Sequence, residues 1–158
     1  MKGFIFFSLF TINSYFALAQ DSLGFTNKAE AENKMVNGVK EGKWIVYIGG
    51  RGSNDNSAPY YKLIVYKAGK QNGIVHEYYN NGALQGEYSY TGGQFNGMAK
   101  TYYPNGQLKS ESPWQMGKLN GVLKEYYENG KVKEETPFSN GNMGATKFFD
   151  ENGKEKGF

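Results

Sequence analysis

The sequence of 158 residues contains no cysteine and only one histidine. These shortages exclude disulfides, cysteine nucleophiles, iron–sulfur clusters, and zinc sites built from cysteine or from two histidines. Proline is also scarce, with 4 residues, whereas glycine reaches 22 residues without the three-residue period of collagen. The 13 tyrosines and 11 phenylalanines are untypical of a disordered chain. The length and composition therefore predict one folded domain.

The N-terminal segment 1–19 is predicted to be a secretory signal peptide. Lys2 precedes an apolar run at 4–10, and residues 17–19, Ala-Leu-Ala, form the small-x-small pattern that signal peptidase recognises. Cleavage after Ala19 would leave Gln20 as the N-terminus. The alternative is a retained membrane anchor, but the segment 3–19 falls short of the about 20 residues that span a bilayer. We therefore expect export to a periplasmic or extracellular space, with no stable transmembrane segment after cleavage.

Glycines and aromatic residues recur at a fixed interval of 24 residues over most of the chain. Gly69, Gly93, Gly117 and Gly141 define units at 69–92, 93–116 and 117–140, and a truncated unit at 141–158. A divergent first unit begins at Gly38 and carries about seven extra residues, which we place in a loop at 49–57. The sequence thus predicts a repeat domain at 37–158 with about five units. Residues 20–36 are predicted to be a polar linker or a short helix.

Each unit is predicted to form a β-hairpin. The dipeptide Asn-Gly, which tolerates the positive φ angles of a type I′ turn, begins at nine positions: 37, 72, 81, 96, 105, 120, 129, 140 and 152. Short runs of β-branched and aromatic residues lie between these dipeptides. The predicted fold is all-β, an elongated antiparallel β-meander of about ten strands in a single layer. Tyr90, Trp114 and Phe138 are expected to form one structural aromatic line along it.

The repeat pattern resembles a known family. The sequence G-x-x-N-G followed by aromatic-x-x-N-G occurs at 69–82, 93–106 and 117–130. Residues 37–158 are thereby similar to the MORN repeat variant family, whose best-known group is YwqK-like and is often described as an antitoxin component of toxin–antitoxin systems. The resemblance implies an elongated array of hairpins that binds or scaffolds other molecules and has no catalytic residues. Related MORN repeats have been linked to protein interaction and to acidic phospholipids.

Two sets of repeated side chains are the candidate binding residues. Alternation places Lys100, Lys124 and Lys147 in a stripe along one face of the predicted sheet. Tyr78, Tyr102 and Tyr126 share the face of the lysines, and the tyrosines that directly follow them lie on the opposite face: Tyr79, Tyr103 and Tyr127. A lysine stripe could attract an acidic protein, an acidic lipid headgroup or an acidic glycan. The net charge of +3 is too small to indicate nucleic-acid binding.

Other polar residues are expected to be structural. His76 occupies a position that is lysine in the later units, so we predict a solvent-facing strand residue. Glu87, Glu111 and Glu135 recur with the repeat, and charge pairing with Lys109 and Lys133 explains them better than acid–base catalysis. Lys109, Lys133 and Lys156 could form a second basic line. The polar loop at 49–57 is too weak a signal for calcium, so no metal or cofactor site is predicted.

These observations favour an exported, non-enzymatic protein that acts as a protein-binding or scaffolding module in the cell envelope. The first alternative is an antitoxin or immunity protein that neutralises a partner toxin in a one-to-one complex. An enzyme would need an acid pair outside the repeat pattern, and a passive spacer would tolerate substitution of the lysine stripe.

Overall fold

The computed structural model describes residues 24–49 and 58–157, so the predicted signal segment 1–19 and most of the loop 49–57 lie outside the described residues. A 3-10 helix spans Lys28–Glu30. Thirteen strands follow: β1 (Lys34–Val36), β2 (Val39–Ile48), β3 (Tyr60–Lys67), β4 (Lys70–Gln71), β5 (Gly73–Tyr79), β6 (Leu84–Thr91), β7 (Gln94–Tyr102), β8 (Leu108–Gln115), β9 (Lys118–Leu119), β10 (Gly121–Tyr126), β11 (Val132–Ser139), β12 (Asn142–Met143) and β13 (Lys147–Phe148).

The strands form one antiparallel sheet in which neighbours in sequence are neighbours in space. Its main path has the order β1-β2-β3-β5-β6-β7-β8-β10-β11-β12, while β4, β9 and β13 pair with β3, β8 and β11. The short strands β4 and β9 continue into β5 and β10 across one intervening residue. This arrangement confirms the predicted all-β meander of hairpins. The segment 20–36, predicted as a linker, contains the 3-10 helix and β1.

Two-residue turns line one edge of the sheet, which we call the turn edge. These turns lie at 37–38, 68–69, 92–93, 116–117 and 140–141, and both residues of each have positive φ, as a type I′ turn requires. Ala68 and Met116 adopt this conformation with φ of 50° and 47°. The position of each turn is therefore set by the glycine that begins the unit, which we call the frame glycine, whatever residue precedes that glycine.

The prediction that Asn-Gly marks type I′ turns is wrong for seven of the nine dipeptides, since only those beginning at 37 and 140 form such turns. Four others lie in longer turns at the opposite edge. At Asn81, for example, the Gly82 N–H donates to the Tyr79 carbonyl oxygen (2.9 Å), and the asparagine Oδ1 accepts from the Ala83 N–H (3.0 Å). A type I turn followed by a left-handed glycine makes a three-residue loop of this kind.

The remaining three Asn-Gly dipeptides, at 72, 96 and 120, lie where the chain continues in the direction of a strand, and not at a turn. Two of their asparagines, Asn96 and Asn120, connect neighbouring units. The Oδ1 of Asn96 accepts from the Met116 N–H (3.4 Å), and that of Asn120 accepts from the Asn140 N–H (3.2 Å). The amide side chains of Asn96 and Asn120 therefore tie the turns at 116–117 and 140–141 to the preceding hairpins.

Backbone hydrogen bonds reinforce the turn edge. The glycine N–H of each later turn donates to a carbonyl of the preceding unit: Gly69 to Lys40, Gly93 to Gln71, Gly117 to Phe95 and Gly141 to Leu119, at 2.8–3.0 Å. Because every turn repeats the same bond, the units stack in a fixed register.

The hydrophobic core lies at the N-terminal end of the sheet. Phe25 (4% exposed) packs with Tyr61, Leu63 and Val65 of β3, and partly buried Ala31, Ile45, Tyr47 and Tyr78 surround this cluster. We call the face that Phe25 covers face A, and the other face B. In β7 and the strands after it, the described residues include only two buried side chains, Ala99 and Thr136. The later units therefore form a single layer with both faces open to solvent.

Candidate functional site

The predicted lysine stripe lies on face A within a row of alternating charge. The strand register places seven side chains side by side, and we call them the charge row: His76, Glu87, Lys100, Glu111, Lys124, Glu135 and Lys147. Opposed charges on neighbouring strands stabilise a sheet by about 0.2–1 kcal/mol for each pair. Since each lysine has at least one glutamate beside it, the positive potential of the stripe is reduced.

Tyrosines and lysines hold the glutamates of the charge row in place. The Tyr102 hydroxyl donates to Glu87 Oε2 and the Tyr126 hydroxyl to Glu111 Oε1, both at 2.7 Å. Lys124 Nζ lies 3.2 Å from Glu135 Oε1. Burial, followed by the hydrogen bond to the glutamate and its charge, raises the pKa of Tyr102 and Tyr126 well above the usual value of 10.0. These tyrosines therefore remain protonated donors at neutral pH.

The expected pairing of these glutamates with Lys109 and Lys133 is not what the structure shows. Glu111 and Glu135 face the lysines of the charge row, while Lys133 Nζ lies 3.5 Å from Glu125 Oε2. Bulges next to the longer turns at 80–82, 104–106 and 128–130 shift the strand register there, which the spacing of the repeat does not reveal.

His76 is buried at 6% exposure, so the prediction of a solvent-facing residue is wrong. Gly24 lies directly over it, because a Cβ built on that glycine would be 3.4 Å from the imidazole Cε1. Burial lowers the pKa of His76 below 6.5, although Glu87, with Oε1 at 3.5 Å from Nε2, and the Phe25 backbone act in the opposite direction. The histidine is therefore neutral at physiological pH.

The predicted tyrosines Tyr79, Tyr103 and Tyr127 lie at the edge opposite the turn edge, and two of them connect neighbouring units. The Tyr103 hydroxyl donates to the Tyr126 carbonyl oxygen (2.7 Å), and the Tyr127 hydroxyl donates to the Phe149 carbonyl oxygen (2.8 Å). Tyr79 pairs with Tyr60, at 5.7 Å between ring centroids. These contacts give the three tyrosines a structural role, and their use in binding stays a prediction.

A row of large side chains on face B follows the turn edge, and we call it the aromatic row. The strand register places eight residues in it: Tyr66, Gln71, Tyr90, Phe95, Trp114, Leu119, Phe138 and Met143. Phe95 packs between two others, with ring centroids 4.5 Å from Tyr90 and 4.9 Å from Trp114. The predicted line of Tyr90, Trp114 and Phe138 is therefore present, with a second set of residues inserted between its members.

Sequence reasoning missed Phe95, although the repeat contains a signal for it. Phe95 lies two residues after its frame glycine, and the equivalent residues are Gln71, Leu119 and Met143. Because only one of the four is aromatic, the position does not stand out as an aromatic line. Gln71, Phe95 and Leu119 nevertheless fill the same place between larger aromatic rings, and Met143 follows the last ring, Phe138.

A groove of about 750 Å³ runs beside the aromatic row at the turn edge, and we call it the edge groove. Tyr66, Tyr90 and Phe95 line it together with residues in or next to the turns of three successive units, which include Lys70, Gln94, Met116 and Lys118. Lys70 and Lys118 are exposed and have no ion-pair partner among residues 24–49 and 58–157. Met116 is 73% exposed. The edge groove thus combines aromatic rings, a flexible apolar side chain and uncompensated positive charge.

A second groove of about 470 Å³ lies at the opposite edge. It is lined by Tyr103, Tyr127, Glu128, Asn129 and Glu151. Two of the predicted tyrosines therefore border a groove, but the charged residues beside them are acidic. The structure does not bring these tyrosines together with the lysines of the charge row, which lie on face A.

Comparison with known proteins identifies the repeats. The family model of the MORN repeat variant matches three consecutive segments, residues 71–91, 95–116 and 119–140. Three segments of the chain are therefore similar to this repeat, which confirms that part of the predicted resemblance. The match does not address the YwqK-like or antitoxin description. Searches of curated proteins and of solved structures found no match to the chain.

Within 24–49 and 58–157, no helix has the length and apolar character needed to cross a membrane. Over the same ranges, no group of three or more histidine, aspartate or glutamate side chains is arranged to hold a metal ion.

Proposed function

We propose that this chain is an exported, non-enzymatic protein-binding module that acts as a scaffold in the cell envelope, with the edge groove as its contact surface. The observation that carries the proposal is the combination of exposed Lys70, Lys118 and Met116 beside the closely packed rings of Tyr90 and Phe95. Aromatic and methionine side chains are enriched at protein interfaces. MORN repeats generally mediate binding to proteins or membranes, which supports a binding role.

The charge row is a less favourable surface for an acidic partner than the edge groove. Lys124 pairs with Glu135, and Lys100 and Lys147 each lie opposite a glutamate on a neighbouring strand, so a partner would have to compete with these carboxylates. The two lysines of the edge groove have no such competitors among the described residues. A partner that supplies carboxylates therefore gains more at the edge groove than at the charge row.

A capture experiment tests both the binding role and the surface. The mature chain 20–158, its Phe95→Gln variant and its Lys100→Gln/Lys124→Gln/Lys147→Gln variant would each be used as bait in envelope extracts from the producing organism. We expect one protein in stoichiometric amount with the wild type and with the triple variant, and loss of that protein with Phe95→Gln. Loss with the triple variant alone would assign binding to the charge row instead. No stoichiometric capture by any bait would refute the module.

Export has its own test. Mass spectrometry of the protein recovered from the producing cells should find a chain that begins at Gln20 in the periplasmic or extracellular fraction. A chain that retains residues 1–19 in the cytoplasmic fraction would refute the export proposal. If the captured protein is toxic when expressed alone and harmless in a one-to-one complex with this chain, the immunity role replaces the scaffold role.

A further inference from the structure

The spacing of the aromatic row suggests which peptide conformation fits it. Its four larger rings lie on β3, β6, β8 and β11, each two strands from the next. At about 4.8 Å for each strand, equivalent rings repeat about every 9.6 Å. A polyproline II helix has three residues in each turn and rises about 3.1 Å for each residue, so one of its faces repeats about every 9.3 Å. Successive turns of such a helix can therefore meet Tyr66 and Tyr90, the two of these rings that line the edge groove.

The other residues of the edge groove favour a peptide over a sugar chain. Met116 is flexible and apolar, and such side chains adapt to the irregular surface of a peptide. Gln71 and Leu119 interrupt the rings of the aromatic row, so the row does not offer a continuous flat surface for stacking sugars. Proline rings pack on aromatic side chains in grooves that recognise polyproline II segments. A proline-rich segment therefore fits the observed lining best.

The two lysines add a charge preference with its own spacing. Lys70 and Lys118 follow the frame glycines of alternate units, and Gln94 takes the equivalent place between them. Four strand steps, or about 19 Å, separate the strands that carry the two lysines. Two turns of polyproline II, or six residues, span nearly the same distance. Acidic residues placed six apart could therefore approach both lysines at once.

We propose that the edge groove binds a proline-rich segment of a partner protein in the polyproline II conformation, with acidic residues on the side that faces Lys70 and Lys118. This inference rests on the proposed function, because it specifies the partner of the same surface. It adds a testable chemistry, since an extended peptide with a defined repeat can replace the unidentified partner in a binding assay.

The first test uses a synthetic peptide, (Pro-Pro-Glu)4 with a fluorescein label, and fluorescence anisotropy with the mature chain 20–158. Two control peptides are (Gly-Ser-Glu)4, which keeps the charge but is flexible, and (Pro-Pro-Lys)4, which keeps the conformation but reverses the charge. We expect saturable binding of (Pro-Pro-Glu)4 at least about tenfold tighter than either control, since a preformed helix loses less entropy on binding. Equal binding of (Gly-Ser-Glu)4 would overturn the conformational part of the proposal.

The repeat supplies variants that the fold already tolerates elsewhere. Phe95→Gln copies Gln71, and Lys70→Gln/Lys118→Gln copies Gln94. We expect Phe95→Gln to weaken peptide binding about thirtyfold, the size of a hot-spot loss, and the double lysine variant to weaken it about fivefold. The matched control is Lys131→Gln/Lys154→Gln, which removes the same charge at the opposite edge and should bind the peptide as the wild type does.

Folding and function failures can be separated. Far-UV circular dichroism and thermal melting of Phe95→Gln show whether lost binding reflects lost structure, and the lysine variants, which are exposed, provide a second test that leaves the packing intact. If a protein is captured from the envelope through Phe95 but (Pro-Pro-Glu)4 neither binds nor competes, the proline-rich inference is wrong while the binding module stands. If neither a protein nor the peptide binds, both fail. Binding of an acidic polysaccharide or of anionic vesicles at the groove in place of the peptide would also overturn it.

Discussion

The substitution Phe25→Ala tests whether the segment before the repeats is part of the fold. Phe25 is 4% exposed and joins residues 24–33 to the buried side chains of β3. Truncation of a buried phenylalanine to alanine removes about 3–5 kcal/mol of stability, through the lost apolar contacts and the cavity that remains. Since small proteins are stable by only about 5–15 kcal/mol, this single change should remove a large part of the free energy of unfolding. Met116→Ala, at an exposed position, should change that free energy by less than about 0.5 kcal/mol.

The same variant should alter the titration of His76. In the native protein, burial beneath the segment that contains Gly24 lowers the pKa of His76 below 6.5. Phe25→Ala should raise this pKa, because water reaches the imidazole while the carboxylate of Glu87 remains nearby. The chain has one histidine, so its NMR titration is unambiguous.

A stability–pH relation follows from the direction of that shift. Below about pH 6.5 the unfolded histidine binds a proton before the folded one does, so the free energy of unfolding falls as the pH drops toward the folded pKa. This dependence should be weaker in Phe25→Ala. Urea unfolding at several pH values, followed by circular dichroism, measures both effects. A stability loss under about 1 kcal/mol with an unchanged His76 pKa would refute the packing of residues 24–33 on face A.

Three further predictions concern the contacts within the repeats. Tyr127→Phe removes the hydrogen bond to the Phe149 carbonyl and should cost about 1 kcal/mol, with faster amide hydrogen exchange in residues 147–157; unchanged exchange there would contradict it. Gly121→Ala should lower the free energy of unfolding by about 2 kcal/mol or more, because φ is 130° and the new Cβ would lie 2.5 Å from Pro113 Cγ. The control Gly130→Ala meets no atom within 4 Å and should cost only about 1–2 kcal/mol from its backbone conformation. Equal losses of the two variants in urea unfolding would refute the contact. The free energy of unfolding should also fall as the pH rises past 10, because folding raises the pKa of several tyrosines. The pKa of Tyr88, for example, rises to about 12. Alkaline urea titrations that show no such fall would contradict the burial of these hydroxyls.

The repeat interval was sufficient to predict the fold because it fixes the position of the hairpins. Glycines spaced by 24 residues marked the turns, and alternation placed Tyr78 and Tyr79 on opposite faces. The type of each turn could not be read in the same way. Asn-Gly at 72, 96 and 120 looks identical to Asn-Gly at a turn, and only the pairing of the strands shows that the chain continues in the same direction through these dipeptides.

The candidate site was harder to predict than the fold, because it depends on which strands face each other. Lys100 and Glu111 are both repeated, but the sequence does not show that they lie side by side. His76 follows the repeat and yet is buried, since the residues that cover it, Gly24 and Phe25, come from outside the repeats. Long-range coverage of this kind leaves no periodic signal.

The uneven distribution of buried side chains gives the sheet a direction of assembly. The cluster around Phe25 and Leu63 uses residues from the first part of the chain, which leave the ribosome before the later units exist. Each later unit can then pair with an ordered strand, and its turn glycine can donate to a backbone carbonyl of the preceding unit, as Gly117 does to Phe95. Nearest-neighbour contacts of this kind let a repeat array grow one unit at a time from a stable end. We therefore expect the N-terminal cluster to fold first and the later units to add to it in the order of the sequence.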